Sequence, residues 1–452
     1  MPDPTPDLLS ALFGDAEANA HLSDHARLQA MLDVEAALGE AEAHLGIIPG
    51  TAATAIRAVA RAELLDVAAI ASEAADAGNL AIPLVKQLTR LVADAHPDAA
   101  RHVHWGATSQ DIVDTGLVLQ MRAAVPVIVR HLERAEAAAA THARKHIGTV
   151  MAGRTWLQHA TPITFGLKAA GWLDAMDRQR LALTAALEQA RVLQFGGAAG
   201  TLAVLGDRGI EVAEQLAAIL ELRAPDVPWH AHRDRIAALA CALGVTCGVL
   251  GKIARDLGLL AQTEVAEAAD DLAGGSSTMP QKQNPVRASI ALTAAARAPG
   301  LIASILVAMP HEHERGLGGW QVEWTALPEL VRVTAGAARA IGDALETLTI
   351  DEPRMRANLN ATRGLALAEA ITVSLSAHIA RSQAHALVKA ASRRARIDGI
   401  SLADALAADP SVTCWITRKQ IEQRLTPELY LGEARTFVER VLARVEGNVH
   451  GR

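Results

Sequence analysis

Between Arg233 and Leu272 the chain reads RDRIAALACALGVTCGVLGKIARDLGLLAQTEVAEAADDL, and the way this run folds decides the class of the molecule. It is dominated by Ala, Leu and Gly, and β-branched and aromatic side chains, which favour sheets, are sparse. The run predicts one helix of unusual length. Within it, Ile236–Gly251 is an uncharged apolar stretch closed off by Arg235 and Lys252. It falls short of the ~20 residues of a bilayer span, so it reads as a buried bundle helix.

Two other segments have the same character, Ser109 to about Ile147 and Thr161 to about Leu193. Helix starts are expected at Thr161-Pro162, Asn284-Pro285 and Leu327-Pro328, since proline in a first turn lacks only an N–H that has no partner there. Pro126 and Pro299 lie inside helical patterns and should kink or interrupt them. Upstream, Leu28, Met31, Leu32, Leu38 and Leu45 share a helical face. Past Asp351-Glu352-Pro353 the pattern shortens, broken by Gly364, Gly399, Pro410 and Pro427. Half of all residues are hydrophobic but only 3% are aromatic, which suits closely packed helices throughout. The expectation is an all-α chain of three helical domains, 1–108, 109–352 and 353–452, with a central long-helix bundle.

Charge excludes one class of partner. A net charge of −7, from 43 basic and 50 acidic side chains, gives no footprint for nucleic acid. The opening MPDPTPDLLSAL lacks a basic and then apolar leader, so no membrane partner and a cytoplasmic location are expected. Cys241, Cys247 and Cys414 match no zinc or redox spacing and read as buried thiols. The pairs His102/His104, His230/His232 and His311/His313 each look like half a metal site without further ligands, so neither a metal nor another cofactor is expected.

Directly after the long run comes Gly274-Gly275-Ser276-Ser277-Thr278-Met279-Pro280-Gln281-Lys282-Gln283-Asn284-Pro285. Two glycines permit unusual backbone angles, and the N-terminus of a following helix attracts anions. By composition this is either a flexible interhelical loop or an anion site. GSSTMPQKQNP closely resembles the GSSxMPxKxN signature of the aspartase/fumarase superfamily. His104-Trp105-Gly106-Ala107-Thr108-Ser109-Gln110-Asp111 and Gly153-Arg154-Thr155-Trp156-Leu157-Gln158-His159-Ala160 resemble its other two regions, in the same order. Pro228-Trp229-His230 with Arg233-Asp234-Arg235, and Asn358-Leu359 through Ala368-Glu369, extend the likeness over most of the chain.

The resemblance implies a helical homotetramer whose active sites combine the three regions from different subunits, acting on a small polycarboxylate. It implies that Ser276 exchanges the proton and that Lys282 and Asn284 hold the carboxylate beside the reacting carbon. Ser277, Met279, Arg154, Thr155, Trp156, Gln158 and His159 are carried over as substrate-binding positions, as are His104, Thr108 and Ser109. The last two read equally as an N-cap cluster, and His104 as a polar residue near a helix start. Arg315, in Met309-Pro310-His311-Glu312-His313-Glu314-Arg315, is either a carboxylate contact or the partner of Glu312 or Glu314.

The pattern departs at two places. Many members of the superfamily have His where this chain has Trp156, paired with Glu where this chain has Ser289, and use the pair to protonate a departing amine or hydroxide. A carboxylate, with a pKa of about 4 against about 15.7 for water, leaves without such help. The implied activity is therefore a cycloisomerase type, closing and opening a carboxymuconate lactone in aromatic catabolism. Another lyase of the superfamily, such as an adenylosuccinate lyase, and a non-catalytic helical scaffold are the alternatives.

Overall fold

The computed structural model describes residues 8–270, 274–275 and 278–450. They form two compact units: Met1–Leu132, Gln179–Gly251 and Ile290–Ala340 make the first, and Glu133–Arg178, Lys252–Ser289 and Ile341–Arg452 the second. The regular structure is helical apart from two two-stranded sheets and isolated bridges. The long helices are Ser109–Lys145, Phe165–Ala190, Asp234–Ala261, Val286–Ala308 and Gly319–Glu346. Three of them, Ser109–Lys145, Asp234–Ala261 and Val286–Ala308, are long and apolar enough to cross a membrane by length and composition alone. This revises the reading of Ile236–Gly251 as too short, because the stretch sits inside a helix of 28 residues. That helix also ends earlier than expected, at Ala261, and Ala268–Asp270 is a strand.

In the first unit, glycine sets how closely helices approach. A β-carbon at Gly244 would strike Ile302, and one at Gly251 would strike Ala295. At Gly251 the close approach of Ala295 leaves no room for a larger residue between the Asp234–Ala261 and Val286–Ala308 helices, whereas at Gly244, one heptad before, the end of the Ile302 side chain would have to move aside. The Asp24–His44 helix buries Leu28, Met31, Leu32 and Leu38 as its periodicity predicts, whereas Leu45 is its half-buried C-cap. It also buries Glu35 and Glu42, so more than one of its faces is covered.

Proline marks some helix starts in this chain and not others. Pro328 lies inside Gly319–Glu346, and Pro126 and Pro299 do not interrupt their helices. At Pro328 the reason is visible: the Trp324 carbonyl that loses its i+4 donor accepts instead from Arg27 Nη2 at 3.1 Å. Pro285 lies immediately before Val286–Ala308, one residue from the expected position.

In the second unit, Thr161-Pro162 starts no helix. Gln158–Thr164 is a strand paired antiparallel with Val150–Thr155, and the helix begins at Phe165. A two-stranded ribbon tolerates proline, since each strand has an edge that needs no donor. Its tip, Trp156-Leu157, holds φ values of +54° and +61°, the left-handed pair of a tight hairpin turn normally given to Asn and Gly. Beyond Ile350 the short helices close over Leu375, Val388, Leu402, Leu406, Val412 and Ile421. Gly364 and Gly399 take left-handed angles at helix boundaries there, and Pro410 and Pro427 open helical turns. Of the three cysteines only Cys247 is buried, its thiol pushed up to about 11 by burial; Cys241 is half-buried and Cys414 exposed.

Candidate active site

In the first unit the site is organised by Asp111, a residue the sequence reading quoted without giving it a role. Asp111 is fully buried three positions after Thr108. Its Oδ1 accepts from Gly196 N at 3.0 Å and lies 2.7 Å from His230 Nε2, and its Oδ2 accepts from Gly197 N at 2.9 Å and Thr108 N at 3.0 Å. A Thr-x-x-Asp spacing at a helix start was the signal that could have exposed it, because the N3 acid of a capping box reaches back to the N-cap N–H. Thr108 and Ser109 are both half-buried at the start of the 37-residue helix, and this carboxylate holds Thr108 through its backbone N–H.

Arg315 joins Thr108: its Nη1 donates to Thr108 Oγ1 at 3.2 Å and its Nη2 to Ala198 O at 3.1 Å. The alternative reading, an ion pair with Glu312 or Glu314, is not realised among the described residues, and Glu312 accepts instead from Leu317 N at 2.9 Å. Arg315 Nε has no hydrogen-bond partner among the described residues. His104 lies with Nδ1 2.6 Å from the buried Glu35 Oε1. Burial pulls its imidazole down, but the charge and hydrogen bond of Glu35, with the charge of Asp111, carry it above its ordinary value.

Beneath this cluster is a dry ionic knot. Arg233 is bidentate to Asp114, at 2.7 and 3.0 Å, and pairs with Glu323, all three essentially without exposure. Trp320 Nε1 donates to Asp114 at 2.8 Å, and the Arg233 guanidinium lies 4.6 Å from the centroid of Trp229. Burial depresses the guanidinium, yet Asp114 and Glu323 raise it well beyond its normal range. His230 therefore belongs to the network around Asp111, whereas neither ring nitrogen of His311 has a hydrogen-bond partner among the described residues; among those residues no group of three metal-ligating side chains exists.

In the second unit, Arg154 is bidentate to the buried Glu267, at 2.8 and 2.6 Å, and Asn358 Nδ2 donates to the same carboxylate at 2.9 Å. Much of the donor capacity of Arg154 is thus used inside the chain. Thr155 and Gln158 pair across the hairpin, and Trp156, Leu157 and His159 are exposed, Trp156 to 97%. The His159 imidazole is lowered by partial burial and by the charge of Arg154.

Ser276 and Ser277 lie outside the described residues. The neck of their loop is closed by two backbone hydrogen bonds between Gly274 and Asn284, at 3.0 and 2.8 Å. Asn284 Nδ2 donates to Gly275 O at 3.2 Å, and Lys282 N to Met279 O at 3.0 Å. The Lys282 side chain is exposed and has no ion pair among the described residues. Below the neck, Arg287 binds Asp270, which also accepts from Thr347 Oγ1 at 2.8 Å. A hollow nearby is lined by Leu257, Ala261, Ala268, Asp270, Pro285 and Leu348. It is mostly apolar, and its carboxylate is already paired, so it does not suit a polyanion. Ser289 Oγ donates to Val286 O at 2.8 Å, within its own helix.

These arrangements can be set beside known proteins. The family model described as lyase matches residues 11–300, and that of the adenylosuccinate lyase C-terminus matches residues 364–441. The chain is 49% identical to the 3-carboxy-cis,cis-muconate cycloisomerase of Bradyrhizobium diazoefficiens, over 97% of this chain and 98% of that one. It is 48% identical to the enzyme of the same name from Pseudomonas aeruginosa, over 97% and 96%. The crystal structure of 3-carboxy-cis,cis-muconate lactonizing enzyme from Pseudomonas putida superposes with a TM-score of 0.91 at 44% identity, covering 96% of this chain and 98% of that one.

Proposed function

From the premise that this chain belongs to the lyase family of aspartase/fumarase type, we propose that it interconverts 3-carboxy-cis,cis-muconate and a carboxymuconolactone. The observation that carries the choice within the family is the missing acid. Position 156 holds an exposed indole, and the position 289 hydroxyl is turned onto the backbone of its own helix. Neither group protonates a basic leaving group. A lactone opening needs no such proton, because the departing group is a carboxylate.

In the forward direction one substrate carboxylate forms the ring C–O bond, and the alkene electron pair moves toward the carbon beside a second carboxylate. That carboxylate becomes an aci-carboxylate with extra negative charge, stabilised by the Lys282 ammonium and the Asn284 amide more than the ground state is. Ser276 then delivers its proton to the carbon. Its hydroxyl is a poor base on the way back unless nearby N–H groups and Lys282 lower its pKa. Thr108, Ser109, His104 and Arg315 hold a carboxylate of the substrate, while Arg154, Thr155, Trp156, Gln158 and His159, and Ser277 and Met279 on the loop, contact the substrate from other copies of the chain. Four copies of the chain combine these regions into shared sites, in the cytoplasm and without a metal or other cofactor.

The match of residues 364–441 to the adenylosuccinate lyase C-terminus favours a second reading, that of a lyase acting on adenylosuccinate. Purified protein offered 3-carboxy-cis,cis-muconate, adenylosuccinate, argininosuccinate and fumarate separately decides between them. Loss of the muconate absorbance alone is expected, with one deuterium taken up at the carbon beside the carboxylate in deuterated water. Unchanged muconate absorbance overturns the proposal.

A further inference from the structure

Three titratable side chains in the first unit are linked in a way the reaction scheme leaves unused. Glu35 and Glu42 lie on the Asp24–His44 helix, both buried, and Glu35 reaches His104 Nδ1 at 2.6 Å. Among the described residues Glu35 Oε2 and both carboxyl oxygens of Glu42 have no hydrogen-bond partner. His104 holds a left-handed backbone angle, φ +60°, which is uncommon outside glycine. Its side chain keeps 20% of its surface exposed, and among the described residues Nε2 has no partner. The ring is therefore anchored at one nitrogen and open at the other.

We infer that Glu35 is a positioning residue for the reaction: its buried carboxylate keeps both nitrogens of His104 protonated, so that Nε2–H is a fixed donor to a substrate carboxylate and not a base. This rests on the cycloisomerase reading, which makes His104 a substrate contact. A carboxylate this close to a ring nitrogen, away from water, forms a charge-assisted hydrogen bond that favours the imidazolium. The charged groups that act on the ring are Glu35 and, from the Ser109–Lys145 helix, Asp111; both are acidic. Glu42 acts on Glu35 from the same helix. Burial and the Glu35 charge push its carboxyl up to about 8, so near neutral pH it stays uncharged and adds no second uncompensated anion. The reaction also has no use for another base, since Ser276 carries the proton and the leaving carboxylate needs no acid. An unchanging donor suits a site that must hold a polyanion.

Protein labelled with 15N-histidine, free of substrate, tests this directly. The His104 resonance is identified by its loss in His104→Gln. It is expected to report a doubly protonated ring at about pH 7, and Glu35→Gln should lower its proton affinity about tenfold or more. In the same variant KM for 3-carboxymuconate should rise about tenfold with a smaller change in kcat, and Glu35→Asp should recover most of the loss. A singly protonated ring at neutral pH in the wild type overturns the inference, as does an unchanged titration in Glu35→Gln. Should Glu35→Gln not fold, the wild-type titration alone decides. Because the ring is read without substrate, a protonated His104 in a protein that leaves carboxymuconate untouched would mark the failure of the functional reading and not of the dyad.

Discussion

Two segments of this molecule are rich in polar residues, Thr108–Asp111 in the first unit and Gly274–Pro285 in the second, yet they spend that polarity differently. Around Asp111, backbone and side-chain donors from Gly196, Gly197, Thr108 and His230 converge on one buried carboxylate. The described part of the loop uses Asn284 to close its own neck and leaves the Lys282 side chain exposed and unpaired among the described residues. A buried polar group whose capacity is filled within the chain builds the frame, whereas an unfilled donor at the surface is available to a ligand. Density of polar residues in a motif therefore does not distinguish scaffold from chemistry. Occupancy of their hydrogen-bonding capacity does.

The sharpest way to break this contrast is to remove one group from each segment's surroundings and ask which property fails. Ser276→Ala should lower kcat by about 10²–10⁴-fold, the scale of a lost proton-transfer group, while urea denaturation shows a stability change within about 0.5 kcal/mol. Full turnover in that variant would remove the loop from the chemistry and favour a scaffold. Arg233→Met should do the reverse. It strands the buried carboxylates of Asp114 and Glu323 and should cost about 3–5 kcal/mol of unfolding free energy, read by denaturant titration at fixed protein concentration. A stability loss below about 1 kcal/mol would mean that the knot is hydrated and that the contrast between the two segments is false.

Much of the helical architecture was legible because it is written locally. Ser109 to about Ile147 was placed nearly to the residue, since capping residues and apolar periodicity mark that helix without reference to the rest of the chain. Thr161-Pro162 misled because proline before an apolar run looks the same in a strand as at a helix start; the partner strand, Val150–Thr155, sits across the hairpin. Leu327-Pro328 misled for a non-local reason, since the carbonyl freed by proline is taken by Arg27, 297 residues away. The same limit applies to the site. Ser276, Lys282 and Asn284 stand together in one motif, but the carboxylates that position two of the other candidates, Glu35 at His104 and Glu267 at Arg154, are brought to them only by folding. Sequence spacing reports the groups that meet a ligand together and is silent on distant groups that hold them.

Glu42 offers the smallest effect per step and the cleanest sign. Its folded carboxyl is pushed from 4.5 to about 8 by burial first and by the Glu35 charge second. The folded protein therefore holds this proton more tightly than the unfolded chain does. Its contribution is fully present below the unfolded value of 4.5 and is lost as the pH rises through about 8. Across that window wild-type stability should fall by up to about 1.4 kcal/mol per pH unit on account of this group. Glu42→Gln keeps the shape and cannot ionise, so its stability relative to wild type should climb with pH through the window and level off above it. The imidazole of His104 titrates in both proteins and drops out of the difference. Parallel denaturation curves for the two proteins between about pH 5 and 8 would show that Glu42 reaches water in the folded state. The first unit would then have an open polar position inside it, and the distinction between filled and unfilled capacity would have to be drawn within that unit as well.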